Sequence, residues 1–223
     1  MTDAGNARVA VFDLDGTVTF DDTLRLVLRR GFRRGPSRPW AAVGLPANWL
    51  AARRDVAQRG PFKARALDVV FGGRSRAWLD AFMDEFAAAL LETGIKPGAR
   101  AAIARHRDAG DRLLLATASP ELWAGRIGRA LGFDAVLGTH LAWANERFAG
   151  RLDGPNLLHE EKRQAVLRWM AEHAGGAAPH AAYTDHHHDL PMLLLAENPV
   201  AVDPTETLAA EAAARKIPIE RWG

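Results

Sequence analysis

Four apolar residues, Val9 to Phe12, run straight into Asp13 and Asp15, two carboxylates one residue apart, with Gly16 and Thr17 behind them. A short apolar run rich in β-branched residues reads as a strand buried on both faces, which restricts the chain to a sheet covered by helices on each side. Asp13 and Asp15 then leave the sheet at the carboxyl end of that strand, where open α/β sheets place their ligands. Two like charges that close repel, and a bound cation is the usual reason for keeping them at an apolar edge. A lone Asp-Gly is most often only a turn. Asp-x-Asp-Gly-Thr after a buried strand is a more specific signal.

The remainder of the chain splits into two patterns. From Ala99 onward helices and strands alternate. Helices are predicted over 99–109, 120–131, 160–173, 190–196 and 205–216. Strands are predicted over 112–116, 135–137, 181–183 and, last, 200–202, with a β-ribbon inside 141–152. That rhythm argues for a parallel sheet with both faces covered. Between Asp21 and Thr93 nothing reads as a strand. Leu24, Val27 and Leu28 share a helical face, Gly35-Pro36-Ser37 ends that helix, and further helices are expected over 62–71 and 76–91. Residues 39–57 are apolar, carry Trp40 and Trp49, and are broken by Pro46. The expected architecture is α/β: a three-layer, Rossmann-like core with a mainly parallel sheet (residues 1–20 and 94–223) and an all-helical domain, 21–93, inserted after the first strand.

At 223 residues, 48% apolar and 25% charged, the chain has an ordinary globular composition and enough length for a core with an insert. It has no cysteine, which removes disulfides, a thiolate nucleophile and cysteine-ligated zinc, and fits a reducing compartment. Met1 to Asn6 carry no basic-then-apolar signal, and no stretch approaches the ~20 apolar residues of a membrane span. A cytoplasmic protein is expected, with peripheral contact to the inner face of the membrane as the variant. The net charge of +2 is uneven: Arg25, Arg29, Arg30, Arg33, Arg34, Arg38, Arg53, Arg54, Arg59, Lys63 and Arg65 face only Asp55 between Thr23 and Leu67. Such a block attracts phosphorylated substrates, anionic lipid or nucleic acid, or is simply a solvated helix face. No aromatic-basic signature for RNA accompanies it, so no nucleic-acid partner is expected. Oligomeric state is not legible.

Chemistry gathers at the predicted strand ends. Asp13 and Asp15 follow the first strand. Thr117 follows Leu113 to Ala116 and offers a hydroxyl, with Ala118 and Ser119 offering the free amides of the next helix start as an anion cradle. Asp185 follows Ala181 to Thr184, with Asp189 four residues on, and Lys162 lies just inside a helix. Hard oxygen ligands point to Mg²⁺. A divalent cation beside a lysine and amide donors is a layout that stabilises a phosphoryl group in transfer.

These motifs carry a resemblance. Phe-Asp-Leu-Asp-Gly-Thr at 12–17, Leu-Ala-Thr-Ala-Ser at 115–119, Gly-Pro-Asn-Leu-Leu-His-Glu-Glu-Lys at 154–162 and Tyr-Thr-Asp-His-His-His-Asp-Leu-Pro at 183–191 resemble the haloacid dehalogenase-like phosphohydrolases. The match is to the phosphoserine-phosphatase-like branch, with a helical cap inserted after the first strand. The resemblance implies a nucleophile at Asp13 that forms an aspartyl-phosphate and a general acid/base at Asp15. It implies Mg²⁺ held by Asp13, the Asp15 carbonyl and Asp185, phosphoryl contacts from Thr117 and Lys162, and an orienting role for Asp189. Asp22 aligns with a glutamate that faces the substrate's amino group in phosphoserine phosphatases, so the shorter acid leaves phosphoserine open as substrate. Asp203 stands where relatives often carry asparagine and is given structural weight only. Three consecutive histidines, His186 to His188, are not expected to face one ion, although His188 is placed at the pocket wall.

The implied substrate is a small phosphomonoester such as phosphoserine or histidinol phosphate. Arginines beside Trp40 and Trp49 also resemble the arrangement of phosphatidylglycerophosphate phosphatases, which would bring an anionic membrane surface to the cap. The plain alternative is that these tryptophans fill the cap's own core. A non-catalytic phosphate- or nucleic-acid-binding module is the rival class.

Overall fold

The computed structural model describes residues 8–223; the expectation drawn from Met1 to Asn6 lies outside them. Strand β1 (Val9–Phe12) is buried along its whole length. It lies between β2 (Arg112–Pro120) and β6 (Ala181–Thr184), parallel to both. The sheet extends to β3 (Ala135–Thr139) on one side and to β7 (Asn198–Val202) on the other, in the order β3-β2-β1-β6-β7-β8. The outermost strand, β8 (Ile219–Glu220), replaces the expectation that 200–202 is last. Two residues are too short to leave a periodic signal.

Alternation along β1 divides the core. Ala10 and Phe12 pack with Leu113, Leu115 and Tyr183 against α5 (Pro97–Asp108) and α6 (Glu121–Leu131). Val9 and Val11 pack with Leu114 and Ala182 against α7 (Glu160–His173), the single turn α8 (Leu190–Leu193) and α9 (Glu206–Arg215). Both faces are covered, which is why β1 is apolar at successive positions rather than at alternate ones.

Residues between β1 and α5 form α1 (Thr23–Arg33), α2 (Leu45–Arg54), α3 (Arg59–Phe71) and α4 (Arg76–Thr93). Pro46 opens α2 from its first turn instead of breaking a helix, the position where a missing N–H costs nothing. Phe71, Phe82 and Trp78 pack together inside this segment. Trp40 and Trp49 do not: they are 69% and 48% exposed, so the reading that they fill a helical core fails for both. The ribbon β4 (Leu141–Ala144) and β5 (Arg147–Leu152) pairs antiparallel and lies against α3, where Gly150 leaves the space that the Asp68 carboxylate occupies. Among the described residues no helix is long and apolar enough to cross a membrane.

Candidate active site

Because β1 lies between β2 and β6, the carboxyl ends of all three open onto one edge. The turn after β1 is pinned by Thr19, whose amide and hydroxyl both donate to the Leu14 carbonyl. Gly16 sits at φ +80°, and a Cβ there would come within 2.4 Å of Asp185 Oδ2, so only glycine fits. Thr17 Oγ1 donates to Asp185 Oδ1 (2.9 Å), accepts from the Asp185 amide (2.9 Å) and stands 3.4 Å from Asp13 Oδ2. Two loops remote in sequence are thereby fastened through one hydroxyl, with the Asp13 and Asp185 carboxylates side by side. Behind the turn, Lys96 Nζ donates to the Gly16 carbonyl and to Asp203 Oδ2, and Asp203 also receives the Trp222 amide. Asp203 thus supports the turn after β1 at one remove.

Lys162 enters from the first turn of α7, following His159, a non-glycine residue at φ +54°. Backbone in that region is costly for a residue with a Cβ, and it aims the helix start at the sheet edge. Lys162 Nζ lies 2.7 Å from Asp13 Oδ1 and 2.7 Å from Asp189 Oδ2, with its side chain 1% exposed. Burial alone would favour the neutral amine, but the two carboxylates hold the ammonium charged and its pKa raised. Burial raises Asp13 well above the usual carboxylate range against the pull of Lys162, with Asp189, Asp185 and Asp15 adding to the rise. Asp185 is pushed up to about 6, first by burial, with the Thr17 hydrogen bond opposing. Asp189 Oδ1 is buried without a hydrogen-bond partner.

Lys162 is the ion-pair partner of both Asp13 and Asp189, and among the described residues Asp15 and Asp185 have none. The ligand atoms on offer are all oxygen, and the orphaned Asp189 oxygen is an acceptor left unfilled. The residues present fit Mg²⁺, a hard cation that takes carboxylates and carbonyls.

Asp15 is held from two sides. Its Oδ1 accepts from the Thr23 amide at the start of α1 (2.6 Å), and its Oδ2 from Ser119 Oγ (2.6 Å) and, more weakly, Thr117 Oγ1 (3.4 Å). Here the expected anion cradle is corrected. β2 continues through Thr117-Ala118-Ser119 to Pro120, which pairs with Thr139, and α6 starts only at Glu121. The Ser119 amide donates to Thr117 Oγ1 (3.0 Å), and both residues are buried behind the pocket wall. No free helix amides gather at 117–119.

The cavity at this edge measures about 410 Å³ and brings together Asp13, Asp15, Asp22, Ala118, Lys162, Asp185, His188 and Asp189. Asp22 also caps α1, accepting from the Arg25 amide at 2.9 Å. Arg59, Leu158 and His186 line the same cavity and were not foreseen. Nothing in the sequence distinguishes Arg59 from the other arginines of its segment; only the fold turns it inward, and it has no hydrogen-bond or ion-pair partner among the described residues. Lys63 was equally hidden. It is 7% exposed, and its Nζ donates to the Ala118 carbonyl and to Asn156 Oδ1, tying α3 to the end of β2. Burial pushes its pKa down to about 8, with Asp15 and Asp22 opposing.

The histidines also depart from expectation. His186 caps a single 3₁₀ turn over His187–Asp189, which folds successive rings to one side. Their ligand atoms come within 4.8 Å of one another, so consecutive residues do converge here. One of the ring nitrogens is already engaged, because His186 Nδ1 accepts from the His188 amide (3.1 Å). Burial depresses His186 to about 4 and His188 to about 3, leaving neutral rings at the cavity wall.

Known proteins share this architecture. The family model described as haloacid dehalogenase-like hydrolase matches residues 10–194. Protein CicA of Caulobacter vibrioides is 31% identical over 85% of this chain and 83% of its own length. Phosphoserine phosphatase SerB1 of Mycobacterium tuberculosis is 31% identical over 95% of this chain and 72% of its own. A histidinol-phosphatase of Neisseria meningitidis is 30% identical over 65% of this chain and 67% of its own. Among solved structures, a Bordetella pertussis protein of unknown function superposes with a TM-score of 0.79 at 25% identity, covering 96% and 98% of the two chains. A substrate-bound phosphoserine phosphatase shares the fold with a TM-score of 0.65 at 14% identity, covering 97% and 94%.

Proposed function

Because the chain belongs to the haloacid dehalogenase-like hydrolase family, we propose that it is a Mg²⁺-dependent phosphomonoesterase working through an aspartyl-phosphate on Asp13. It is a phosphatase; its metal, intermediate and substrate are the proposed part. The observation that carries the reading is Lys162, 2.7 Å from both Asp13 and Asp189 at the floor of a carboxylate-lined cavity. A binding module without turnover would have no need to keep every one of these groups at one edge.

In this mechanism an Asp13 oxygen attacks phosphorus, and the bond to the leaving oxygen breaks as Asp15, in its protonated form, delivers its proton to that oxygen. The Thr23 amide and Ser119 hydroxyl orient Asp15 for this transfer. Water then attacks the phosphorus of the acyl phosphate while Asp15 takes a proton from it, which releases inorganic phosphate and restores Asp13. Lys162 binds phosphoryl oxygens and offsets the crowding of carboxylates. Asp13, Asp185 and the Asp15 carbonyl would hold Mg²⁺, which when bound would supply positive charge against the repulsion between a phosphate dianion and a carboxylate. The helical segment 21–93 acts as the cap that selects the leaving group.

Phosphoserine or histidinol phosphate is the proposed substrate, as the names of the two related phosphatases suggest. Both carry an ammonium, and Asp22 at the cavity wall is the acid placed to meet one. A second reading, a lipid phosphate met at an anionic membrane surface, is favoured by one observation: Trp40, Val43, Trp49, Leu50 and Val56 are all exposed within the arginine-rich segment. Turnover of p-nitrophenyl phosphate with Mg²⁺, and its loss in EDTA, tests the activity. No turnover with the metal present would overturn it. A panel of phosphoserine, histidinol phosphate and phosphatidylglycerophosphate then ranks the substrates.

A further inference from the structure

A second cavity of about 350 Å³ adjoins the catalytic one and shares Arg59, Ala118 and Leu158 with it. Its walls are Leu24 on α1, Trp49 and Ala52 on α2, Phe62 on α3, and Leu158. The polar residues around it are turned to other uses. Lys63 directs its ammonium to the Ala118 carbonyl and Asn156, so its methylenes face the space. The Arg53 guanidinium lies over one face of the Trp49 ring, 4.7 Å from its centre. Arg59 stands at the junction with the catalytic cavity, where a phosphate would pass.

We infer that this slot is the leaving-group subsite, and that it takes an apolar moiety, an aromatic ring or an alkyl chain, attached to the phosphate. The inference rests on the phosphomonoesterase reading and deepens it. Two facts carry it. The slot adjoins the cavity that holds Asp13 and Asp15 and shares Arg59, Ala118 and Leu158 with it, so it lies next to where a group bonded to the transferred phosphate would sit. And its surface is aromatic and aliphatic, which within the proposed pair favours histidinol phosphate, whose leaving group carries a ring, over phosphoserine, whose leaving group has none. Burying apolar surface there favours substrate by roughly 0.8 kcal/mol per methylene, which is about fourfold in binding.

A homologous series of n-alkyl phosphates, ethyl through octyl, tests it, since their leaving alcohols differ little in basicity and only the chain length changes. The expected result is a rise in kcat/KM of about two- to fourfold per added methylene, carried mainly by KM and levelling once the slot is filled. Trp49→Ala, at a half-exposed position that tolerates truncation, flattens that slope. Trp40→Ala, which lines neither cavity, preserves it. If ethyl phosphate and phosphoserine are hydrolysed but kcat/KM is flat or falls with chain length, the slot is not the subsite. If the slope survives both Trp49→Ala and Phe62→Ser, the chain binds elsewhere and the inference fails. If no phosphomonoester is turned over with Mg²⁺ present, it is the phosphatase reading that fails. A lipid phosphate carried in phosphatidylcholine vesicles separates the sources: its hydrolysis points to a membrane substrate, and a rising alkyl series without it points to a soluble apolar ester.

Discussion

The carboxyl edge of the sheet and the outer face of the helical segment obey opposite rules. At the edge the central charges are held in place: Lys162 lies between Asp13 and Asp189, Thr17 joins Asp13 to Asp185, and Asp15 accepts from both α1 and β2. On the helical face cations pair across the surface, Arg30 and Arg34 with Glu85, while Trp40 and Val43 stand in solvent. Groups in the first region have one geometry available to them, and surface pairs of the second kind contribute little. On the proposed function, the difference separates the groups that would carry the chemistry from those that would select the molecule it acts on.

The largest effect that could break this contrast is at Asp13. Asp13→Asn is expected to lower kcat by about 10⁴-fold or more while circular dichroism stays unchanged; residual turnover near the parent's would remove Asp13 from the nucleophile role. Lys162→Met leaves Asp13 and Asp189 buried without a counter-charge, and should cost about 3–5 kcal/mol in denaturant unfolding at pH 8. The loss should be smaller at pH 5, where protonation of Asp13, whose pKa burial raises, relieves part of the unpaired charge. An equal loss at both values would mean the pair is not held by charge.

Lys63 joins the two regions, and pH can read it. Its pKa is about 8 in the folded chain against about 10.4 unfolded, so between these values the unfolded state binds more protons and stability rises with pH. The penalty for burying its charge is present below pH 8 and is lost toward pH 10, an amount of order 3 kcal/mol. Relative to Lys63→Met, the parent should therefore gain stability across that window, and a constant difference would show that Lys63 does not titrate. The smallest effect belongs to the outer face. Trp40→Ser should change stability by less than about 0.5 kcal/mol, yet reduce sedimentation with anionic vesicles at low salt if the lipid reading holds.

Legibility in the sequence follows the same divide. β1 could be read because a strand covered on both faces must be continuously apolar, and its end because Asp-x-Asp-Gly-Thr has few other uses. Asp185, Asp189 and Lys162 followed from the parallel sheet, which gathers strand ends at one edge. Thr117 and Ser119 were legible as neighbours of the site but not as Asp15's supports, because Pro120 keeps β2 extended past the point where a helix seemed to begin. Arg59 and Lys63 could not be picked out, since their segment is rich in cations and only packing decides which turn inward. The histidines converge through the local 3₁₀ turn, a handedness that spacing alone does not reveal.

Gly16 has one more implication. The room its absent side chain leaves is filled by Asp185, which Thr17 grips at both the carboxylate and the amide. If Asp185 holds a cation as proposed, it does so from a position that Thr17 and the Gly16 turn have already fixed, so binding would demand little rearrangement of this loop.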